Sequence, residues 1–143
     1  MIDFDNHTNF ELNIVLLENI TNKLVSTKDV ELILCDNLEI KELNKEHRDI
    51  DAPTDVLSFP LEEFPHAPLG TIVISIDYAK EISSKLGHTT EEEVALLFIH
   101  GMLHLTGMDH EIDDGEMRKL EIDLIEYFSL PKSLIVRSSE QVS

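Results

Sequence analysis

Gly70-Thr71-Ile72-Val73-Ile74-Ser75-Ile76 is β-branched almost throughout and reads as the clearest strand of the chain. A short helix over residues 78–86 follows it and stops at Gly87, where a glycine accepts the left-handed turn that ends helices. Thr90-Glu91-Glu92-Glu93 then reads as a capping box opening a second helix, with Val94, Leu97 and Phe98 directed to the core. Before the strand, apolar residues at Leu12, Val15, Leu16, Ile20 and Leu24 give residues 10–25 a helical period. Ile2-Asp3-Phe4 and residues 29–36 read as strands, the latter around Leu32-Ile33-Leu34. Residues 37–46 read as a helix capped by Asn37, with Leu38 and Leu43 inward. Asp55-Val56-Leu57-Ser58-Phe59-Pro60 is a short strand closed by proline, and residues 62–69 form a loop. A last amphipathic helix is expected over residues 115–128, with Met117, Leu120, Leu124 and Tyr127 inward and Pro131 beyond its end. The expected fold is α/β (α+β): a small mixed sheet of about four strands packed with about five helices.

The chain has 143 residues, which suits a single domain able to bury roughly 68–70% of its unfolded surface. With no repeat, linker or low-complexity segment, residues 1–143 are expected to form one domain. No apolar stretch approaches a membrane span, and Met1-Ile2-Asp3-Phe4-Asp5 lacks the basic start and apolar run of a secretory signal. Cys35 is the only cysteine, which forbids an intramolecular disulfide; within its apolar strand it reads as a buried residue rather than a nucleophile. The expected compartment is the cytoplasm. The net charge is −18, from 11 basic and 29 acidic residues, which argues against non-specific binding to duplex DNA. It leaves room for a local positive pocket built from a bound divalent cation and a few arginines. Acidic clusters such as Glu91-Glu92-Glu93 and Asp113-Asp114 read as solvated helix starts.

The chemistry concentrates in His100-Gly101-Met102-Leu103-His104-Leu105-Thr106-Gly107-Met108-Asp109-His110. Histidines four apart stand one above the other on one face of a helix. Gly107 is the expected helix stop, after which the chain can fold back to bring His110 to the same point. Three imidazoles filling three corners of a tetrahedron leave the fourth for water, the arrangement of a catalytic zinc site. One zinc ion per chain, held by His100, His104 and His110, is the expected cofactor. His7, His47, His66 and His88 are expected to be solvent-exposed. The same His-x-x-x-His-x-x-Gly-x-x-His frame holds zinc in metzincin proteases, where a glutamate after the first histidine acts as general base. Here that position is Gly101, so the frame is present and the proteolytic base is absent.

The histidine stretch closely resembles the His-Gly-x-Leu-His-Leu-x-Gly-x-Asp-His motif of the YbeY endoribonucleases. Arg48, Asp51 and Pro53-Thr54-Asp55-Val56-Leu57-Ser58-Phe59-Pro60 resemble a second block of that family, and Leu69-Gly70 with the strand that follows resembles a third. The likeness runs over roughly residues 30–128. It implies a metal-dependent, single-strand-specific endoribonuclease acting on ribosomal RNA, above all at the 3′ end of the small-subunit RNA, and in ribosome quality control. Single-stranded ribosomal RNA and the small ribosomal subunit are the implied partners, with neither membrane nor duplex DNA among them. The resemblance also implies ligands at His100, His104 and His110 and a functional Arg48. One departure stands out: the family usually has Asp after the glycine of the third block, and this chain has Thr71.

A divalent metal on three neutral imidazoles keeps its charge and lowers the pKa of its water toward about 7. Phosphodiester cleavage also needs charge stabilisation on the non-bridging oxygens, for which the planar fork of Arg48 suits two phosphate oxygens. The alternative for Arg48 is a surface ion pair with Asp49 or Asp51. Asp109, beside a ligand, suits orientation of a histidine or capping of a turn, and Asp55 suits backbone amides near Thr54. The general base is one of three: the metal hydroxide, Asp109 or Asp55. Attack by the 2′-hydroxyl of the RNA is a further route. The competing functions are a non-catalytic, zinc-stabilised ribosome-assembly factor and a metal-dependent hydrolase of another substrate.

Overall fold

The computed structural model of the chain describes residues 2–24, 29–60, 69–106 and 116–130. Four strands, β1 (Ile2–Asn6), β2 (Val30–Cys35), β3 (Val56–Pro60) and β4 (Gly70–Ser75), form one sheet in the order β1-β2-β4-β3. β1, β2 and β4 run parallel, and β3 pairs antiparallel to β4 as an edge strand. Five helices accompany them: α1 (Val15–Leu24), α2 (Asn37–Arg48), α3 (Ile76–Leu86), α4 (Thr90–Leu105) and α5 (Glu116–Tyr127). The mixed α/β architecture expected from the sequence is the one observed.

Strand alternation assigns the two faces of the sheet. Val30, Leu32, Leu34, Ile72 and Ile74 point into the main core with Leu17 and Ile20 of α1, Ala79 of α3, Leu124 of α5 and most of α4. Cys35, Leu57 and Val73 point to the other face, under Ile40 of α2, with Ile33, Leu43 and Phe59 packed around them. α4 is the centre of the molecule, since every residue from Glu93 to Leu103 is buried. A helix apolar on all sides belongs inside a protein, and here the sheet lies under it while α1, α3 and α5 flank it.

Several local readings shift by one residue or change side. α2 is capped by Asp36, whose carboxylate accepts from the Glu39 amide, rather than by Asn37. Asn37 instead takes the Ser75 hydroxyl on its side-chain oxygen and gives its own amide to Asp77. The capping box of α4 is formed by Thr89 and Glu92, one residue before the expected Thr90. Leu38, Val15 and Tyr127 point outward, because the apolar stripes of their helices are centred on Ile40, Leu17–Ile20 and Leu124–Ile125. Glu93 is no solvated helix start: it is buried and pairs at 2.7 Å with His88, whose side chain is buried as well. His7 is exposed, as expected, and lies between Asp5 and Glu39, whose carboxylates raise its pKa above the ordinary histidine value. Protonated His7 therefore favours the folded chain at low pH, an effect lost as the pH rises through its folded pKa. His66 lies outside the described residues. Cys35 is buried as expected; burial first, then the charges of Glu39, Asp36 and Asp77, pushes its thiol up to about 12.

α4 comes so close to the sheet that two glycines are required beneath it. A Cβ on Gly70 would lie 2.5 Å from the Phe59 carbonyl oxygen and 2.8 Å from Leu105 Cδ2. Backbone cannot yield as a flexible side chain can. Gly70→Ala is expected to cost about 1–3 kcal/mol or more in a denaturant titration, as overpacking does. Unchanged stability would show that β3 and β4 can part at this point without loss.

Candidate metal centre

His100 and His104 lie on consecutive turns of α4, and their Nε2 atoms face each other at 3.0 Å. The ring centroids are 4.6 Å apart with the planes at 75°. His100 is buried and His104 half-buried, so the pair sits where the core opens. The feature that organises the pair is a carboxylate on α5. Glu121 is buried and places Oε1 2.8 Å from His100 Nδ1.

The proton bookkeeping follows from that contact. An ionised carboxylate only accepts, so the His100 ring donates through Nδ1–H and keeps a lone pair on Nε2. The short Nε2 to Nε2 contact is then satisfied by His104 donating its Nε2–H to His100. Replacing that single proton by a cation turns both Nε2 lone pairs onto one point. Two nitrogens each about 2.0–2.1 Å from a tetrahedral zinc are roughly 3.3 Å apart, close to the spacing found here. A carboxylate behind a ligating histidine is the usual means of fixing ring orientation and raising ligand basicity. The two histidines and Glu121 therefore fit a divalent metal. No group of three metal-ligating side chains gathers among the described residues. His110, Asp109 and Gly107 lie outside them.

Gly101 faces the sheet rather than the histidine pair. A Cβ there would meet Ile72 Cγ2 and Cδ1 at 3.1 and 3.2 Å and Ser58 Oγ at 3.2 Å. A side chain at this position would start from the sheet side of α4, and its Cβ would fit only if Ile72 and Ser58 gave way by a few tenths of an ångström.

Arg48 ends α2 and reaches back over β3, where its Nη2 donates to the Ser58 carbonyl at 3.5 Å. The Ser58 hydroxyl in turn donates to the Gly101 carbonyl of α4 at 3.4 Å. The guanidinium thus stands one residue of β3 away from the helix that carries the histidines. The ion pair with Asp49 or Asp51 is not formed; Asp51 lies 3.9 Å from Lys41. Asp55 is elsewhere. It precedes β3, accepts the Val56 amide at 2.8 Å and the Thr54 hydroxyl at 3.3 Å, and lies three residues before Ser58, about 10 Å along an extended chain. Leu105 meets the opposite, Gly70 end of the sheet, so the helix carries His104 away from Asp55.

The family model described as Endoribonuclease YbeY matches residues 3–129. The chain belongs to the YbeY family. A Nautilia profundicola endoribonuclease YbeY is 56% identical over 140 residues, covering 98% of this chain and all of the relative. Its Aliarcobacter butzleri counterpart is 57% identical over 141 residues, covering 97% of this chain and all of the relative. A Helicobacter pylori (strain J99) member is 52% identical over 140 residues, covering 98% and 99%. The fold matches the solution structure of TM1509 from Thermotoga maritima with a TM-score of 0.62 and 31% identity, covering 99% and 97% of the two chains.

Within this YbeY chain, Thr71 lies on the sheet face away from α4, since its neighbour Ile72 touches Gly101. Its hydroxyl donates to Glu31 of β2 at 2.9 Å, so a carboxylate stands beside position 71 although the residue there is threonine. Glu121 is the site residue that sequence reasoning missed. The signal was available: a carboxylate between Leu120 and Leu124 on the inward stripe of an amphipathic helix demands a buried partner.

If Glu121 holds the His100 ring, removing its charge should weaken metal binding while leaving the ligands in place. Glu121→Gln, which still accepts from Nδ1–H, is expected to lower zinc affinity about tenfold, and Glu121→Leu nearer a hundredfold. Competition against a chromophoric chelator measures both. Wild-type affinity in Glu121→Leu would end the positioning role.

Proposed function

We propose that this YbeY chain is a zinc-dependent, single-strand-specific endoribonuclease that works in the cytoplasm on ribosomal RNA. The reading includes maturation of the small-subunit RNA 3′ end and ribosome quality control, with the small subunit as partner. As a family member the chain is an endoribonuclease, a hydrolase acting on RNA. Among the described residues no helix is long and apolar enough to cross a membrane. The observation that supports the metal is the Glu121–His100–His104 relay, in which a buried carboxylate holds the His100 Nδ1 and the two Nε2 atoms stand 3.0 Å apart.

His100, His104 and His110 would hold one zinc ion through neutral rings. The metal supplies a positive charge and an acidified water. Glu121 keeps the Nδ1 proton on His100, so that ring cannot turn its proton-bearing nitrogen to the open side. The rings would hold the metal only when neutral, and protons compete for the same nitrogens, so affinity would fall as the pH falls. Arg48 offers its free N–H groups to the non-bridging oxygens of the scissile phosphate, where charge builds as the bond breaks. Its long contact with the Ser58 carbonyl places the guanidinium over β3. Burial of His100 and of most of α4 excludes water from one side of the site.

Metal-loaded protein should cleave unstructured RNA and leave a duplex of the same sequence intact. His104→Ala should lose both stoichiometric zinc and cleavage; full zinc content in that variant would remove His104 from the site. Zinc binding without RNA cleavage would favour the assembly-factor reading.

Arg48→Ala should keep its zinc and its melting temperature and lose about 10²–10³ in cleavage rate. Arg48→Lys should recover only part of the rate, because an ammonium lacks the fork. Single-turnover rates at equal metal loading decide it. A wild-type rate in Arg48→Ala would remove the guanidinium from the reaction.

A further inference from the structure

The basic residues of α2 are sorted from its acidic ones. Lys41, Lys45 and Arg48 fall at i, i+4 and i+7, one stripe of the helix, while Glu39, Glu42 and Glu46 fall on another. Three contacts fix the direction of the basic stripe. Asn44 Nδ2 donates to the Ala52 carbonyl, Lys41 Nζ lies 3.9 Å from Asp51, and Arg48 reaches Ser58. The stripe therefore looks along the segment before β3 and over β3 itself, the open edge of the sheet.

The chain carries a net charge of −18, so cations gathered on one stripe are worth following; on α5, Arg118 and Lys119 likewise have no ion pair among the described residues. Elsewhere Lys85 pairs with Glu81, and Lys23 and Lys80 lie over the Tyr127 and Phe10 rings. Among the described residues neither Lys45 nor Arg48 forms an ion pair, and the Lys41–Asp51 contact is long and exposed. Such a pair contributes little and yields readily to a competing anion. Beside Arg48 in the last turn, on the flank of α2 turned toward β3 rather than on the stripe itself, the exposed His47 ring rests on Phe59, centroids 4.9 Å apart and planes at 54°. Phe59 is anchored in the core under α2, so it holds a solvent-facing ring in a fixed place.

We propose that Lys41, Lys45 and His47 form a track for the single-stranded RNA that flanks the cleaved bond. The two lysines, about 6 Å apart along the helix axis, meet successive phosphates, and one unpaired base stacks on the His47 ring. The assignment rests on the endoribonuclease reading above and extends it beyond the reacting phosphate. A narrow basic stripe bordered by a parallel acidic one suits a narrow polyanion; a broad acidic protein surface would meet Glu42 and Glu46 as well. A duplex keeps its bases inside and cannot use the ring, so the track favours unpaired RNA. The track leads through Arg48 and Ser58 to Gly101, the residue after His100.

Fluorescence anisotropy with a labelled, unstructured RNA and metal-free protein separates binding from cleavage. The K41A/K45A double variant should weaken binding at least tenfold and reduce the slope of log affinity against log salt by about 1.4, the value for two lost single-strand phosphate contacts. His47→Ala should weaken binding about 5- to 100-fold for the single strand, with little effect on a duplex, and His47→Tyr should restore it. Cleavage of a dinucleotide too short to reach α2 should be unchanged in all three variants. Wild-type affinity and salt slope in the double variant would overturn the track. Equal weakening toward poly-glutamate and RNA would also overturn it, reducing the stripe to a general anion surface. Failure of the metal-loaded wild type to cut RNA is a different result, since it removes the endoribonuclease reading itself.

Discussion

The contact between Glu121 and His100 is the constraint on which the site depends. A buried carboxylate and a buried imidazole 2.8 Å apart satisfy each other and tie α5 to α4 across the core. Left alone, either group would be an uncompensated polar atom inside the protein, a state that costs several kcal/mol. The same bond fixes the His100 tautomer, and so decides which ring nitrogen faces His104. Leu96 against Ile125, one turn from each partner, shows the two helices antiparallel, so apolar packing and the polar contact enforce the same register.

α4 has to be buried on all sides for this to work, and the rest of the fold supplies its walls. The sheet presents Ile72 and Ile74 below it, with Gly70 and Gly101 letting the helix and strands approach closely. A second buried pair, His88 with Glu93, anchors the first turn of α4 to the end of the α3 connection. Both ends of the described helix are thus tied by histidine–carboxylate contacts, one beside the candidate metal centre and one remote from it. β3 links the helix to α2 by the chain Arg48, Ser58, Gly101, which brings a guanidinium from the far face of the sheet to its edge.

Most elements were legible because their apolar periods are strong. The strand at 70–75 is β-branched, and the α4 segment combines a capping signal with an apolar run. Side choice at helix margins was less legible: Leu38 and Tyr127 are apolar but flank stripes whose centres already fill the available core. Caps shifted by one residue because Asp36 and Thr89 compete with equally suitable neighbours, and tertiary bonds such as Ser75 to Asn37 decide between them. The histidine pair could be read from spacing alone. Glu121 could not be assigned, because its partner is 21 residues away and only the packing of α5 on α4 brings them together. Likewise Glu93 looked like one of three solvated acids, and its burial depends on a histidine placed by the preceding turn.

The most direct measurement is nitrogen NMR of the imidazoles in protein labelled at histidine, taken before and after one equivalent of zinc. His100 should carry its proton on Nδ1 in both states. On adding zinc, His104 should no longer carry a proton on Nε2, and both Nε2 signals should move together to metal-bound positions. A His100 ring protonated at Nε2, or Nε2 signals that do not move at one equivalent, would contradict this reading.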